Sequence, residues 1–163
     1  MAAASPFAAA APWLGRAGWV ASTLAGLAER WLAPLVLLAA RFWMADIFFR
    51  SGLLKIQDFG STIFLFTEVH PVPLLPPVLS AAIAATVELV ASSMLAVGLL
   101  ARLAALPMLA MAMVIQFVVG AADPAFHIVE HDYWMFLLAF VIAFGPGAIS
   151  VDRWLRGRLR PRA

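Results

Sequence analysis

The amino-acid sequence predicts an all-α integral membrane protein, a bundle of four spanning helices with both termini on the cytoplasmic side. Composition is the first ground. Of 163 residues, 64% are hydrophobic and 12% charged, with a mean hydropathy of +0.97, whereas a soluble domain carries about 25% charge and about 45–50% apolar residues. The second is arrangement: the apolar residues stand in long blocks, and a helix needs about 20 of them to cross a bilayer. The third is charge placement. With both termini inside, the inner regions hold eight basic residues, Arg16, Arg30, Arg102 and the five arginines of 153–162, against Arg50 and Lys55 outside. Basic residues collect on the cytoplasmic side of membrane proteins. A water-soluble enzyme is excluded.

The elements follow in order. Residues 1–30 form a disordered and interfacial N-terminal segment: 1–12 are Ala/Pro-rich and of low complexity, and 13–30 suit a short interfacial helix with Arg16, Glu29 and Arg30 toward water. The start lacks the positive n-region of a secretory signal, so no cleaved leader is expected. Residues 31–152 carry the four spans. The first covers 32–49, interrupted by Arg41 and Asp46. Residues 51–75 read as a partly interfacial or re-entrant loop, because the apolar patch at 63–66 is too short to cross and prolines follow it. The second span, 76–100, carries one charge, Glu88, and Arg102 sits in the tight turn after it. The third, 103–120, is uncharged with one amide, Gln116, and the fourth occupies 133–151 with Gly145-Pro146-Gly147 near its end. Residues 153–163 are a basic cytoplasmic tail that touches anionic lipid or orients the chain. Because the basic surplus is confined to this tail, no nucleic-acid partner is expected; membrane lipid is.

Several chemistries lack their residues. There is no cysteine, which removes disulfides, CxxC redox chemistry, iron–sulfur clusters and c-type haem attachment. No histidine lies inside a span, so the chain alone is not expected to bind haem. Phosphate-binding glycine loops are absent. All three histidines, His70, His127 and His131, fall in the two outer loops. His127 to His131 spells HxxEH, but a twelve-residue loop offers neither the helix face nor the separate third ligand that zinc hydrolysis needs. A metal site built from these histidines stays a weak candidate.

Charged groups inside a bilayer cost several kcal/mol and need partners. Arg41 lies about 15 Å from Trp31 along an ideal helix and Glu88 about 18 Å from Leu100. Their matched depths make them candidates for a buried ion pair, or for the core of an intramembrane polar pocket. Small residues at Ala81, Ala84, Ala85 and Ser92 turn Glu88 toward the bundle interior. Asp46 and Arg50 are spaced i, i+4 and pair within one helix, on a face that meets another helix or a partner protein. Gln116, at about the depth of Asp46, completes an outer polar cluster with it.

Residues in this order resemble the DoxX family of small four-helix membrane proteins. The resemblance is carried by Arg41 followed by Ser51-Gly52-Leu53-Leu54-Lys55, by Pro73 to Pro77, and by Glu88-Leu89 with Gly98-Leu99 and Arg102. His131 with Trp134, Gly145-Pro146-Gly147 and Ser150-Val151-Asp152 complete it, over about residues 32 to 155. It implies a helical bundle in the bacterial cytoplasmic membrane, with Ser51, Gly52, Lys55, Gly145, Gly147 and Asp152 as family-motif positions. It also implies a tie to redox systems, as in a thiosulfate:quinone oxidoreductase subunit or a membrane partner of oxidative-stress enzymes; other relatives accompany metal-handling and peptide-modifying systems. Asp46 and Arg50 depart from the family pattern, which points to a subfamily-specific contact.

The expected role is therefore an accessory subunit of a quinone-linked redox or oxidative-stress complex, not catalytic alone and with no cofactor of its own beyond a quinone. In such a pocket Arg41 would stabilise a reduced oxyanion and Glu88 would exchange a proton. The alternatives are a membrane component of a metal-homeostasis system and a small-solute or proton transporter; the lack of an internal repeat argues against transport. The topology is directly measurable. Reporter fusions at Gln57, Arg102, Asp123 and Ala163 are expected to label outside, inside, outside and inside, and a periplasmic signal from Ala163 would sink it.

Overall fold

A computed structural model of the chain describes residues 12–69 and 71–159, and all regular structure among them is helical. Helix α1 spans residues 12–57 without a break in helical backbone. The interfacial helix expected at 13–30 is thus continuous with the first span, and the boundary expected at 30/31 does not exist in the backbone. Trp31, Leu32 and Ala33-Pro34 continue the helical run, because a proline in the first turn of Ala33–Gln57 removes only a donor that the local geometry does not require. Every residue from Gly18 to Ala33 is exposed; burial begins only at Ala40 and Arg41, and continues through Met44, Ala45, Phe48 and Gly52 at helical spacing.

The first span also ends later than Phe49. Its C-terminus lies at Gln57, and Asp58 then caps a second helix, α2 (Phe59–Val69), by accepting from Ser61 N at 2.9 Å and from Ser61 Oγ at 2.6 Å. Thr62 Oγ1 donates back to Lys55 O at 2.9 Å, satisfying one of the carbonyls that a helix end leaves open. The segment expected as a loop is therefore largely a helix of about 16 Å, roughly half a hydrocarbon core in length. It packs across the end of α1 and the start of α3 (Pro77–Val97). Helices α4 (Ala101–Ala122) and α5 (Val129–Phe144) form an antiparallel pair. Gly18–Gln57 of α1, together with α3 and α4, is long and apolar enough to cross a membrane. Helix α5, at 16 residues, gives about 24 Å and makes the shortest wall of the bundle.

The fourth span was expected to continue through Gly145-Pro146-Gly147 to residue 151. Instead it stops there: Gly145 has φ +81° and Gly147 φ +80°, backbone that side chains rarely adopt. A short amphipathic helix, α6 (Val151–Leu159), follows, so the described part of the basic tail is helical. Residues 1–11, expected to be disordered, and 160–163 lie outside the described residues.

The core is built from Met44, Phe48, Leu95, Met108, Leu138 and Val141, interleaved with Ala91, Ala101, Ala104 and Ala105. Alanines at the crossings let helix backbones approach closely, the packing mode available when lipid removes a hydrophobic drive between helices. The end of α3 carries a complete Schellman closure: Leu99 N donates to Met94 O at 2.9 Å and Gly98 N to Leu95 O at 3.1 Å, with Gly98 at φ +71°. Leu100 is also left-handed, at φ +46°. Asp152 holds that strained turn from across the fold. Its Oδ1 accepts from Leu100 N at 2.7 Å and its Oδ2 from Ala101 N at 3.1 Å, capping α4 in place of a local residue.

Gly98 is the most constrained point of this end, since a Cβ there would collide with the Arg41 guanidinium and with Ser150 Cβ at 2.6 Å. Gly98→Ala is expected to lower stability by about 2 kcal/mol or more, through left-handed backbone strain plus overpacking. Thermal unfolding of the detergent-solubilised variant measures it, and an unchanged midpoint would contradict this geometry.

Candidate functional site

Glu88 and Gln116, both nearly inaccessible, each lie in a widened π-helical turn, Val87–Ala91 and Val114–Val119. Such turns release backbone carbonyls from the ordinary ladder and are common at functional positions. Around Glu88 the freed groups are met locally: Ser92 Oγ donates to Glu88 O, and Ser93 Oγ donates to Leu89 O at 2.7 Å. Gly52 of α1 lies against this turn, where a Cβ would stand 2.9 Å from Glu88 Cβ and 2.8 Å from Leu89 Cγ. That close approach lets the next turn of α1 reach over the carboxylate.

Lys55 is the residue that does so. Its Nζ donates to Glu88 Oε1 at 2.9 Å and to Ser51 Oγ at 2.8 Å. Glu88 Oε2 also lies 2.9 Å from the ammonium but has no aligned hydrogen bond, so it retains acceptor capacity. The side chains are 15% and 5% exposed respectively, a degree of desolvation at which an ion pair is coupled far more tightly than at a surface.

The pair borders an apolar cavity of about 380 Å³ between α2, α3 and α4, walled by Leu65, Phe66, Ile83, Val87, Met111 and Ile115 among others. Ser80 also lines it, and its buried hydroxyl has no hydrogen-bond partner. Pro107, inside α4, faces the same space; a proline there withholds one backbone donor and clashes with the preceding turn, so the helix cannot close up tightly at the wall. The result is a greasy chamber with one cation, one carboxylate and one orphaned hydroxyl, the pattern of a small-molecule site.

The other residues singled out in the sequence fall elsewhere. Arg41 does not meet Glu88. It is buried near the α3–α4 turn, donates from Nη2 to Ile149 O, packs against Gly98, and feels the Asp152 carboxylate. Their depths do not match because burial of α1 begins not near Trp31 but at Ala40, about two and a half turns later. Asp46 and Arg50 do pair, at 2.8 Å, but on the outward face of α1 with side chains 58% and 75% exposed. Gln116 is not with Asp46. Its Nε2 donates to Asp132 Oδ1 at 3.1 Å, and its Oε1 lies 3.0 Å from His131 Nδ1.

His131 is buried and stacks edge-on to Trp134 at 4.8 Å, which in turn meets Phe48 at 5.7 Å. His127 Nδ1 is 3.3 Å from Gln116 O. Of the histidines expected in the outer loops, His127 does lie in the loop, but His131 lies in the first turn of α5 and is buried. Both turn to one glutamine, and among the described residues no three His, Asp or Glu side chains gather around a point that could hold a metal. His70 lies outside the described residues. Of the family-motif positions, Ser51, Gly52 and Lys55 build the Glu88 site, while Gly145, Gly147 and Asp152 shape the opposite end. Lys55 is the site residue that sequence reasoning placed in an outer loop; the available signal was Gly52, three residues before it, where a helix needs close approach.

A family model described as DoxX matches residues 36–121, which takes in Arg41, Gly52, Lys55, Glu88 and Gln116. No curated protein and no solved structure matches the chain.

The geometry makes a sharp expectation for stability. Lys55→Met strands a buried carboxylate and Glu88→Leu strands a buried ammonium, each expected to cost about 3–5 kcal/mol. Lys55→Met combined with Glu88→Leu should cost less than either change alone. Strictly additive losses in a double-mutant cycle would show that the two groups do not interact.

Proposed function

The chain belongs to the DoxX family, and from that premise we propose that it is an accessory subunit of a quinone-linked redox or oxidative-stress complex in the bacterial cytoplasmic membrane, its cavity receiving a quinone head group. The observation that carries the reading is the apolar chamber of about 380 Å³ with Lys55, Glu88 and the unpartnered Ser80 hydroxyl on its wall. Ser80 is the test of fit: a buried hydroxyl without a partner costs about 1–3 kcal/mol, and a carbonyl-bearing ring entering from the lipid would supply the missing acceptor.

A bound quinone supplies reversible two-electron, two-proton chemistry. The chain's own residues would do the rest. Lys55 holds positive charge where a ring oxygen gains electron density. Glu88, through Oε2, holds and passes a proton in the same space. Leu65, Phe66, Met111 and Ile115 keep water out and grip an apolar tail. With no cysteine in the chain, it has no ligands for iron–sulfur clusters and no dithiol couple, and in this reading the electrons come from a partner. The outward Asp46–Arg50 pair supports the same view, because a charged pair on the lipid side of a spanning helix is better solvated against another protein.

The experiment is direct binding of a short-chain ubiquinone analogue to the purified chain by titration calorimetry. Saturable micromolar binding is expected, weakened at least about tenfold in Lys55→Met/Glu88→Leu, the loss of one to two good polar contacts. Equal binding by that variant, or none by the parent, would defeat the reading. Mild-detergent capture should bring down a redox partner that Asp46→Ala/Arg50→Ala releases.

A further inference from the structure

A second cavity lies at the opposite end of the bundle, where the sequence motifs Arg102, Gly145-Pro146-Gly147 and the basic tail converge. It is a half-open cleft of about 580 Å³ between residues 29–37 of α1, the end of α5 and helix α6. Three arginines line it, Arg102, Arg153 and Arg156, against one acid, Glu29, so the lining is net positive. Leu37 and Phe144 supply an apolar wall, and Phe144 is itself largely exposed on the outer face of the bundle.

We propose that this cleft is a binding site for the phosphate-bearing head group of an anionic glycerophospholipid. The arginines are placed and available. Arg102 is anchored by one hydrogen bond, Nη2 to Ala143 O at 3.1 Å, and lies flat against Gly145, where a Cβ would approach its Nε and Nη2 to 3.3 Å. Arg153 and Arg156 stand three residues apart on α6, one face of a helix, and among the described residues neither has a carboxylate partner. Ser150 starts that helix by accepting from Arg153 N at 3.3 Å while donating to Gly147 O at 2.9 Å, so the turn that ends α5 also aims α6.

Guanidinium groups bind phosphate oxygens in pairs of parallel hydrogen bonds, which suits a phosphodiester better than a chloride ion. Glu29 adds selectivity, accepting from a head-group hydroxyl and disfavouring a second anion on its own side.

The setting identifies a lipid rather than a soluble phosphate. Helix α6 is amphipathic, with Trp154 and Leu159 exposed and Arg158 lying 4.8 Å over the Trp154 ring. That is the pattern of a helix lying in the interface between head groups and acyl chains. A phosphate held by Arg153 and Arg156 would therefore sit at head-group level, with the apolar wall of Leu37 and Phe144 leading its acyl chains down the outside of the bundle. Basic pockets beside spanning helices are the usual place for such lipids. The proposal is independent of the quinone reading: it uses none of the residues at Lys55 and Glu88.

The test is thermal unfolding of the full chain, delipidated in neutral detergent, with added phosphatidylglycerol, phosphatidylcholine or inorganic phosphate. Phosphatidylglycerol should raise the midpoint by about 5–10 °C at saturation and give a one-lipid adduct in native mass spectrometry, whereas phosphatidylcholine should not. Arg153→Gln/Arg156→Gln should lose most of the shift. This variant spares Arg102, whose hydrogen bond to Ala143 O supports the fold, so its own unfolding midpoint without lipid should match the parent's. Arg158→Gln, outside the cleft lining, should keep the shift.

Equal shifts with phosphatidylcholine, or a full shift in Arg153→Gln/Arg156→Gln, would overturn the site. Equal losses in Arg156→Gln and Arg158→Gln would reduce it to general adsorption of a basic helix, which also overturns it. The same shift from inorganic phosphate would overturn the lipid assignment.

Discussion

A carboxylate drawn out of water into an apolar bundle has to meet a cation, and the place where Glu88 meets Lys55 decides how the first three helices touch. Lys55 can reach only because Gly52 brings α1 to within a methyl group's width of α3. The ammonium in turn is spread over Ser51 Oγ and both Glu88 oxygens at 2.8–2.9 Å. Break the close approach and the pair opens into lipid, where each charge alone costs several kcal/mol. The apolar chamber beside it follows from the same constraint. Helix α2 begins directly after α1 under the Asp58 cap, and so it roofs the space that the end of α1 leaves between α3 and α4.

The far end of the bundle solves a related problem with different chemistry. There the tight α3–α4 connection uses two left-handed residues, Gly98 and Leu100, and exposes the first amides of α4. Asp152 takes those amides and also lends its charge to Arg41, so one carboxylate closes a helix terminus and offsets a buried guanidinium. Gly98 is required because the Arg41 guanidinium lies where its side chain would be, and Gly145 and Gly147 by their left-handed φ, with Arg102 and Leu37 close against them. Leu37 and Lys55 are eighteen residues apart on one helix, or about 27 Å. The cleft and the chamber therefore sit near opposite faces of the bundle, and each can be occupied without the other.

The helical class and most of the helices were legible in the sequence, because long apolar blocks in a chain with so few charges leave few other folds open. The register of α1 was not. From Trp13 to Phe49 the composition has no apolar edge, so hydropathy does not say where the helix enters the bundle, and Trp31 was a natural but misplaced starting point. An offset of about two and a half turns moves Arg41 from the end of the bundle to its middle and makes Glu88 its apparent partner. Arg50 then looked like the end of the span. The true stop is the Asp58 cap with Ser61 three residues on, a short polar signal inside a mostly apolar stretch. Lys55 was consequently read as a loop residue, although the motif containing it was recognised.

Gln116 illustrates what no spacing rule could supply. It lies toward the end of the bundle away from the α3–α4 turn, yet depth on a straight helix does not fix direction. The π turn at Val114–Val119 inserts an extra residue into the ladder and rotates everything beyond it. Gln116 thereby faces His131 and Asp132 of α5 rather than Asp46 of α1. The turn at Val87–Ala91 acts in the same way on Glu88. Ser92 and Ser93 make that distortion tolerable in lipid by covering the carbonyls it releases. Two locally widened turns direct the interior carboxylate and the interior amide toward different helices.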